Sequence, residues 1–205
     1  MGFSIEDGAG KNGLAKVNVD QRLETYAVTR TEAQHANVKG QGVNVNTEFV
    51  SITGETVLLY IKNTRSAKVS GESQVFHVTD LAVQFGETTG AFAGRATFSV
   101  DFGGSGGTVI SSAAAAAIKS NQNPGSVETF DHLLCYAGAD GETVTGVTKQ
   151  AFFDIEGAEG SRVFGSFDWV LPQGQSLSVK VDPNLSSGAL DVYVNIAGYF
   201  ATEGI

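Results

Sequence analysis

The sequence of 205 residues has one cysteine, one tryptophan, three prolines and a single methionine, which is its first residue. The lone cysteine, Cys135, excludes an internal disulfide and a cluster of thiolate ligands. Basic residues are also few, with 13 Lys and Arg against 22 Asp and Glu, which gives a net charge of −9. Because sequence-independent binding of nucleic acid depends on Lys and Arg that neutralise phosphates, we expect no nucleic-acid partner.

Long hydrophobic runs are absent as well. The longest, residues 57–61 and 113–118, fall far short of the ~20 apolar residues that cross a bilayer, so we expect no membrane partner. Residues 1–7 lack the basic and apolar regions of a secretory signal. With 41 % hydrophobic and only 17 % charged residues, the chain is expected to fold, and its length suits one domain.

Glycine is abundant, at 26 of 205 residues, or about 13 % against a usual ~7 %. Four glycines fall within the first 13 residues, which we therefore predict to be an extended N-terminal arm. Residues 14–205 are predicted to form a single domain. Most of the other glycines stand in short polar stretches that separate apolar segments, which is typical of turns.

A period of two dominates the apolar pattern and predicts antiparallel strands. It is found in residues 17–27, 74–85, 92–102, 163–170, 177–181 and 191–200. Within residues 74–85, regular alternation places Phe76 and Val78 on one face and Leu81, Val83 and Phe85 on the other. Residues 57–61 are apolar at every position, which predicts a central strand covered on both sides.

Helical signals are sparse. Residues 31–40 have a Thr cap, an early acid, a late Lys and a closing Gly, and they predict a short helix. Residues 111–120, with five alanines, are a second candidate, although the preceding Val109 and Ile110 favour a strand. The predicted fold is therefore all-β: a jelly-roll-like antiparallel β-sandwich with an extended N-terminal arm and one or two short helices.

Two glycine motifs resemble catalytic or nucleotide-binding signatures. Residues 8–13 match G-x-G-x-x-G, but no buried strand precedes them, so we interpret them as part of the arm. Residues 103–107 match G-x-S-x-G around Ser105, followed later by Asp131 and His132. The alternating helices and parallel strands of a serine hydrolase are missing, which favours a flexible turn.

Metal and thiol chemistry have equally little support. His35, His77 and His132 lie far apart in the sequence and lack the paired spacing of a metal site. Cys135 lies in an apolar segment, which favours a packing role over a Cys–His pair with His132. Residues 140–142 and 154–156 are acidic enough for calcium but lack EF-hand spacing. We expect no catalytic residues, no cofactor and no metal, and hence a protein that is not an enzyme.

Aromatic side chains crowd into one stretch of the second half: Phe152, Phe153, Phe164, Phe167 and Trp169. In a regular strand Phe167 and Trp169 share a face and Phe164 lies on the other. Apolar groups on both faces indicate burial on two sides within the domain or a contact between subunits.

Three segments carry a resemblance to a known class of proteins. They are MGFSIEDGAGKNGLAKVNVDQRLETYAVT, SITGETVLLYIKNT (residues 51–64) and SLSVKVDPNLSSGALDVYVNIAGYF (residues 176–200). Together they resemble the small all-β virion proteins of tailed bacteriophages, especially head decoration or cement proteins. The resemblance implies a jelly-roll-like sandwich on the capsid exterior that bridges major capsid subunits, often as a trimer.

The first functional hypothesis is therefore a structural capsid decoration protein, made in the bacterial cytoplasm and bound to the major capsid protein as a homo-oligomer. Its arm would add a strand to a neighbour's sheet, with Phe3, Ile5 and Leu14 as apolar anchors. The alternative is a tail-fibre or receptor-binding module that recognises a host glycan, with whichever of Tyr193, Tyr199 and Trp169 are exposed stacking on sugar rings. A third hypothesis, an enzyme, requires converging carboxylates or Ser105 beside His132.

Overall fold

The computed structural model describes residues 31–66, 72–89, 95–111, 115–156 and 162–204. Strands account for most of these residues, as the period of two predicts. Within these ranges no helix is long and apolar enough to cross a membrane.

Two short helices and twelve strands make up this part of the chain. The helices are α1 (Glu32–Val38) and α2 (Thr108–Ser111). In chain order the strands are β1 (Gly42–Asn46), β2 (Val50–Ile52), β3 (Thr56–Asn63), β4 (Glu72–Thr89), β5 (Arg95–Phe102), β6 (Ala115–Ala116), β7 (Ile118–Asn121), β8 (Leu133–Ala137), β9 (Thr148–Glu156), β10 (Arg162–Leu171), β11 (Ser176–Asp182) and β12 (Ala189–Gly204).

The strands form two six-stranded antiparallel sheets. The first sheet has the order β10-β4-β12-β1-β7, with β2 also paired to β12, and the second has the order β6-β8-β3-β11-β5-β9. Four early strands pair with four late ones in reverse order: β1 with β12, β3 with β11, β4 with β10 and β5 with β9. The prediction of an all-β antiparallel sandwich is thus confirmed.

The main core lies between the two sheets and follows the predicted alternation in several strands. In β12, Val192, Val194 and Ile196 are fully buried, while the intervening residues are only partly covered. Phe98 and Val100 of β5 face them from the second sheet in the same cluster. Burial of one face of each sheet supplies most of the hydrophobic free energy of folding.

The alternation predicted for β4 is wrong beyond its middle. Phe76 and Val78 belong to the core, but so do Leu81, Val83 and Phe85, which regular alternation places on the opposite face. The reason is a β-bulge: Asp80 pairs with Ala197 and Val78 pairs with Gly198, so Thr79 is an extra residue on β4. One inserted residue exchanges the two faces of the strand from that point onward.

Strand β3 is covered on both sides, as its uninterrupted apolar sequence predicts. Leu59 and Ile61 lie in the core between the sheets. On the outer face, Val57 and Tyr60 pack with Val109 of α2 in a separate buried cluster.

The helix predicted at residues 31–40 is confirmed as α1, and its Ala36 packs with Val75, Tyr199 and Ala201. Of the second candidate helix, residues 111–120, only Ser111 is helical among the described residues. Ala115 and Ala116 form β6 against β8, and residues 118–121 form β7 against β1. Strand pairing outweighs the helix propensity of this alanine-rich sequence.

Candidate functional site

The outer face of the first sheet carries rows of side chains that the strand register places side by side. One row runs Arg162, Gln84, Tyr193 across β10, β4 and β12. The next row runs Phe164, Ala82, Asn195, Asn46 from β10 through β4 and β12 to β1. These residues lie opposite the core, because the alternate residues of β12 and β4 point inward. Helix α1 packs on this same outer face around Tyr199, away from these rows.

Together these rows line an open groove of about 650 Å³, which we call the amide groove. Its polar residues are Asn44, Asn46, Gln84, Asn195 and Arg162, and its aromatic residues are Phe164 and Tyr193. Ala82 and Ser120 also line it, and their small side chains leave room above the sheet. A shallow polar cleft with exposed rings is suited to binding a ligand rather than to excluding water around a reaction.

The polar groups of the amide groove are largely unused within the protein. In the part of the chain that the structure describes, the side chains of Asn46, Gln84, Asn195 and Arg162 make no hydrogen bond to another protein group. Asn44 accepts a hydrogen bond on Oδ1 from Nε2 of Gln122 at 3.3 Å. Each free amide offers both donors and an acceptor, so the groove can bond to a ligand that carries several hydroxyls.

The rings of the amide groove are exposed to different degrees. Phe164 is 65 % exposed, which is high for a phenylalanine on the surface of a sheet. Tyr193 is partly covered and lies 5.6 Å from the ring of Phe49, itself 52 % exposed, at an interplanar angle of 41°. Phe164 lies on β10 and Tyr193 on β12, and Gln84 of β4 lies between these two strands.

Of the three aromatic residues predicted to stack on sugars, only Tyr193 lies in the amide groove. Tyr199 is buried beneath α1 and stacks on His77 with centroids 4.8 Å apart, so it does not meet the condition of exposure on which its predicted role depended. Trp169 packs against the core, stacked on Phe167 at 4.0 Å, and meets Phe102 edge-on. The prediction that Phe167 and Trp169 share a face opposite Phe164 is confirmed.

The sequence analysis did not predict a binding role for Phe164, for Arg162 or for the amide side chains of the groove. The available signal was the Val43-Asn44-Val45-Asn46 alternation, which places two amides on one exposed face. Their meeting with Asn195 and Gln84 depends on the pairing of strands that are distant in sequence, which periodicity does not reveal.

The G-x-S-x-G motif forms a turn that is bonded to a neighbouring loop. Gly103 and Gly107 have φ of +84° and +113°, and a Cβ at Gly107 would lie 2.4 Å from the carbonyl oxygen of Thr143. The N–H of Ser105 donates to the Thr145 carbonyl at 3.1 Å. His132 lies in a different loop, and its backbone carbonyl accepts a hydrogen bond from the hydroxyl of Thr64.

Cys135 is a packing residue of the main core, and only 5 % of its surface is exposed. Burial raises the pKa of its thiol to about 12, against a smaller opposing effect of Lys119. Its Sγ donates to the Leu133 carbonyl at 3.6 Å. A neutral, buried thiol is a poor nucleophile at ordinary pH.

The acidic segment at residues 140–142 uses its first carboxylate internally. Asp140 accepts hydrogen bonds from the N–H and hydroxyl of Thr53, at 2.8 and 2.7 Å, and from the hydroxyl of Thr56. In the other acidic segment, Asp154 forms an ion pair with Arg95. Over the described ranges, no group of three or more His, Cys, Asp or Glu side chains is placed to hold a metal ion.

The predicted arm, with the G-x-G-x-x-G motif and the anchors Phe3, Ile5 and Leu14, lies outside the described residues. The same is true of the strand predicted at residues 17–27. Comparisons of the chain with protein-family models, with curated proteins and with solved structures found no match.

Proposed function

We propose that this protein is a non-catalytic binding module that recognises saccharides through the amide groove. The observation that carries the proposal is the set of free amides of Asn46, Gln84 and Asn195 beside the exposed ring of Phe164. Amides bond to sugar hydroxyls as both donors and acceptors, and aromatic rings pack against the C–H face of a sugar ring. An open sheet face admits an extended chain of sugars, so oligosaccharides are the ligands that fit it best.

The test is a glycan array probed with the full-length protein and with two matched variants. Phe164→Ala removes the exposed ring of the groove, and we expect at least about a tenfold loss of affinity. Phe152→Ala removes a phenylalanine of similar exposure on β9 of the second sheet, and we expect no loss. The proposal would be contradicted if the unmodified protein bound no glycan on the array, or if both variants lost the same amount of affinity.

A capsid decoration protein is the second candidate, and strand order favours it. The reverse-order pairing of β1, β3, β4 and β5 with β12, β11, β10 and β9 supports a jelly-roll connectivity. We infer that β6, β7 and β8 are an insertion into that framework. Jelly rolls occur in viral capsid proteins and in lectins, and the sequence resemblance to phage decoration proteins implies the same fold. This role places the protein on the outside of a capsid, in contact with the major capsid protein and favoured as a trimer.

The decoration role is tested by deleting residues 1–13 and measuring association with purified capsids by co-sedimentation. We expect the truncated protein to lose capsid binding, because the arm is predicted to supply the strand that pairs with a neighbour. Circular dichroism of the truncated protein, unchanged from that of the full chain, shows that the sandwich still folds. Undiminished capsid binding would contradict the predicted role of the arm.

A further inference from the structure

We infer that the saccharide bound by the amide groove is acidic and that Arg162 binds its carboxylate. This inference rests on the saccharide-binding function proposed above and names the class of ligand. Three observations carry it. Arg162 is the charged residue among the described lining residues, it forms no ion pair with another described residue, and it lies two residues from Phe164 on the same strand.

Arg162 carries the only full charge among the described residues that line the amide groove. Three other cationic side chains are engaged within the protein: Arg95 pairs with Asp154, Lys180 lies 3.2 Å from Glu55, and Arg65 lies over the ring of Phe200. Arg162 is exposed and forms no ion pair with another residue that the structure describes, although acidic residues outnumber basic ones by 22 to 13. A cation left unpaired in an acidic protein, in a cleft of free amides, is available to an anionic ligand.

The spacing along β10 suits a single sugar unit. Arg162 and Phe164 are two residues apart on the same face of the strand, which separates their Cα atoms by roughly 6–7 Å. A sugar ring that packs on Phe164 can therefore present a ring carboxylate to the guanidinium of Arg162. The planar guanidinium binds a carboxylate through two parallel hydrogen bonds, which fixes the orientation of the sugar.

The opposite end of the same face carries a carboxylate. In the row beyond Phe164, Asp80 accepts a hydrogen bond from the hydroxyl of Ser166 at 2.8 Å. Asp191 lies two residues before Tyr193 on the same face of β12, so carboxylates stand beyond both ends of the groove and Arg162 is the attractive contact between them.

The experiment compares carboxylated oligosaccharides with their methyl esters, which keep the same sugars and lose the charge. The probes are oligogalacturonate and oligosialate, each measured by calorimetry as free acid and as ester with the full-length protein. We expect the acid form of the bound sugar to bind at least about tenfold more tightly than its ester. Arg162→Gln should remove this difference by weakening the binding of the acid to the level of the ester.

Lys149→Gln is the matched control, because it removes one positive charge from the second sheet, where Lys149 lies over the ring of Phe152. We expect it to preserve the preference for the acid. Equal binding of acid and ester, or equal loss in the two variants, would overturn the inference. Binding of neutral sugars alone overturns the assignment to Arg162 but leaves saccharide recognition intact, whereas failure of every sugar to bind contradicts both.

Discussion

Single residues join loops that would otherwise be separate, and Asp140 is the clearest case. Its carboxylate ties the segment after β8 to the turn between β2 and β3 through Thr53 and Thr56. Burial raises the pKa of Asp140, but hydrogen bonds from Thr53, Thr56 and the backbone of Gly54 outweigh it, and the pKa lies below its usual value. The charged form is therefore the one that the fold stabilises.

Replacing Asp140 tests this link through its dependence on pH. We expect Asp140→Asn to lower the free energy of unfolding near pH 7 by about 1 kcal/mol, because hydrogen bonds to an exposed carboxylate are partly screened. A group whose pKa is lowered by folding stabilises above its unfolded pKa and loses that effect as the pH falls through the folded pKa. Urea unfolding at pH 7 and at about pH 2 should show the difference shrinking in acid. Glu48→Gln, at an exposed side chain, should have no such effect, and an equal loss at both pH values would contradict the role of the charge.

At the scale of the element, the β-bulge in β4 sets which residues of two long strands face the core. Opposite the extra residue Thr79, strand β12 carries Gly198. A Cβ at Gly198 would lie 2.3 Å from the His77 carbonyl oxygen and 2.6 Å from Cζ of Phe76. The two strands approach so closely here that only glycine fits without a shift of the backbone.

Substitution of this glycine measures how strongly the bulge is held. We expect Gly198→Ala to destabilise the protein by roughly 1–3 kcal/mol, because the added methyl group overlaps a backbone oxygen. Gly54→Ala is the matched control, since nothing lies within 4 Å of a Cβ at that position, and it should change stability by less than about 0.5 kcal/mol. Both are measured by urea unfolding. Wild-type stability of Gly198→Ala would show that β12 moves to accommodate the methyl group.

The bulge also explains which parts of the fold could be predicted from the sequence. Strands β5, β11 and β12 were predictable because burial of one face imposes a period of two on each strand separately. The inserted Thr79 changes that period through pairing with other strands, and β7 becomes a strand because β1 pairs with it. The amide groove could not be predicted for the same reason, because it depends on the pairing of Asn46 with Asn195, which lie 149 positions apart in the sequence.

At the scale of the whole molecule, the net charge of −9 opposes the approach of any polyanion. Binding of an acidic saccharide must therefore come from local contacts in the amide groove and not from the overall field. Salt screens the long-range repulsion as well as the attraction to exposed Arg162, so the preference for acid over ester, rather than total affinity, is the informative quantity. Many copies on one surface would convert a modest affinity at each groove into durable attachment.

Saccharide recognition and capsid attachment are compatible roles, and we expect them to be separable in one chain. Phe164→Ala removes a ring of the amide groove, so it should weaken saccharide binding at least about tenfold and leave co-sedimentation with capsids unchanged. Deletion of residues 1–13 should have the opposite effect, because the arm is predicted to bind the capsid and contributes none of the residues described in the groove. Each variant is measured in both assays, with Phe152→Ala as the control expected to retain both activities. Loss of both activities in either variant, with the fold intact by circular dichroism, would mean that one surface serves both roles.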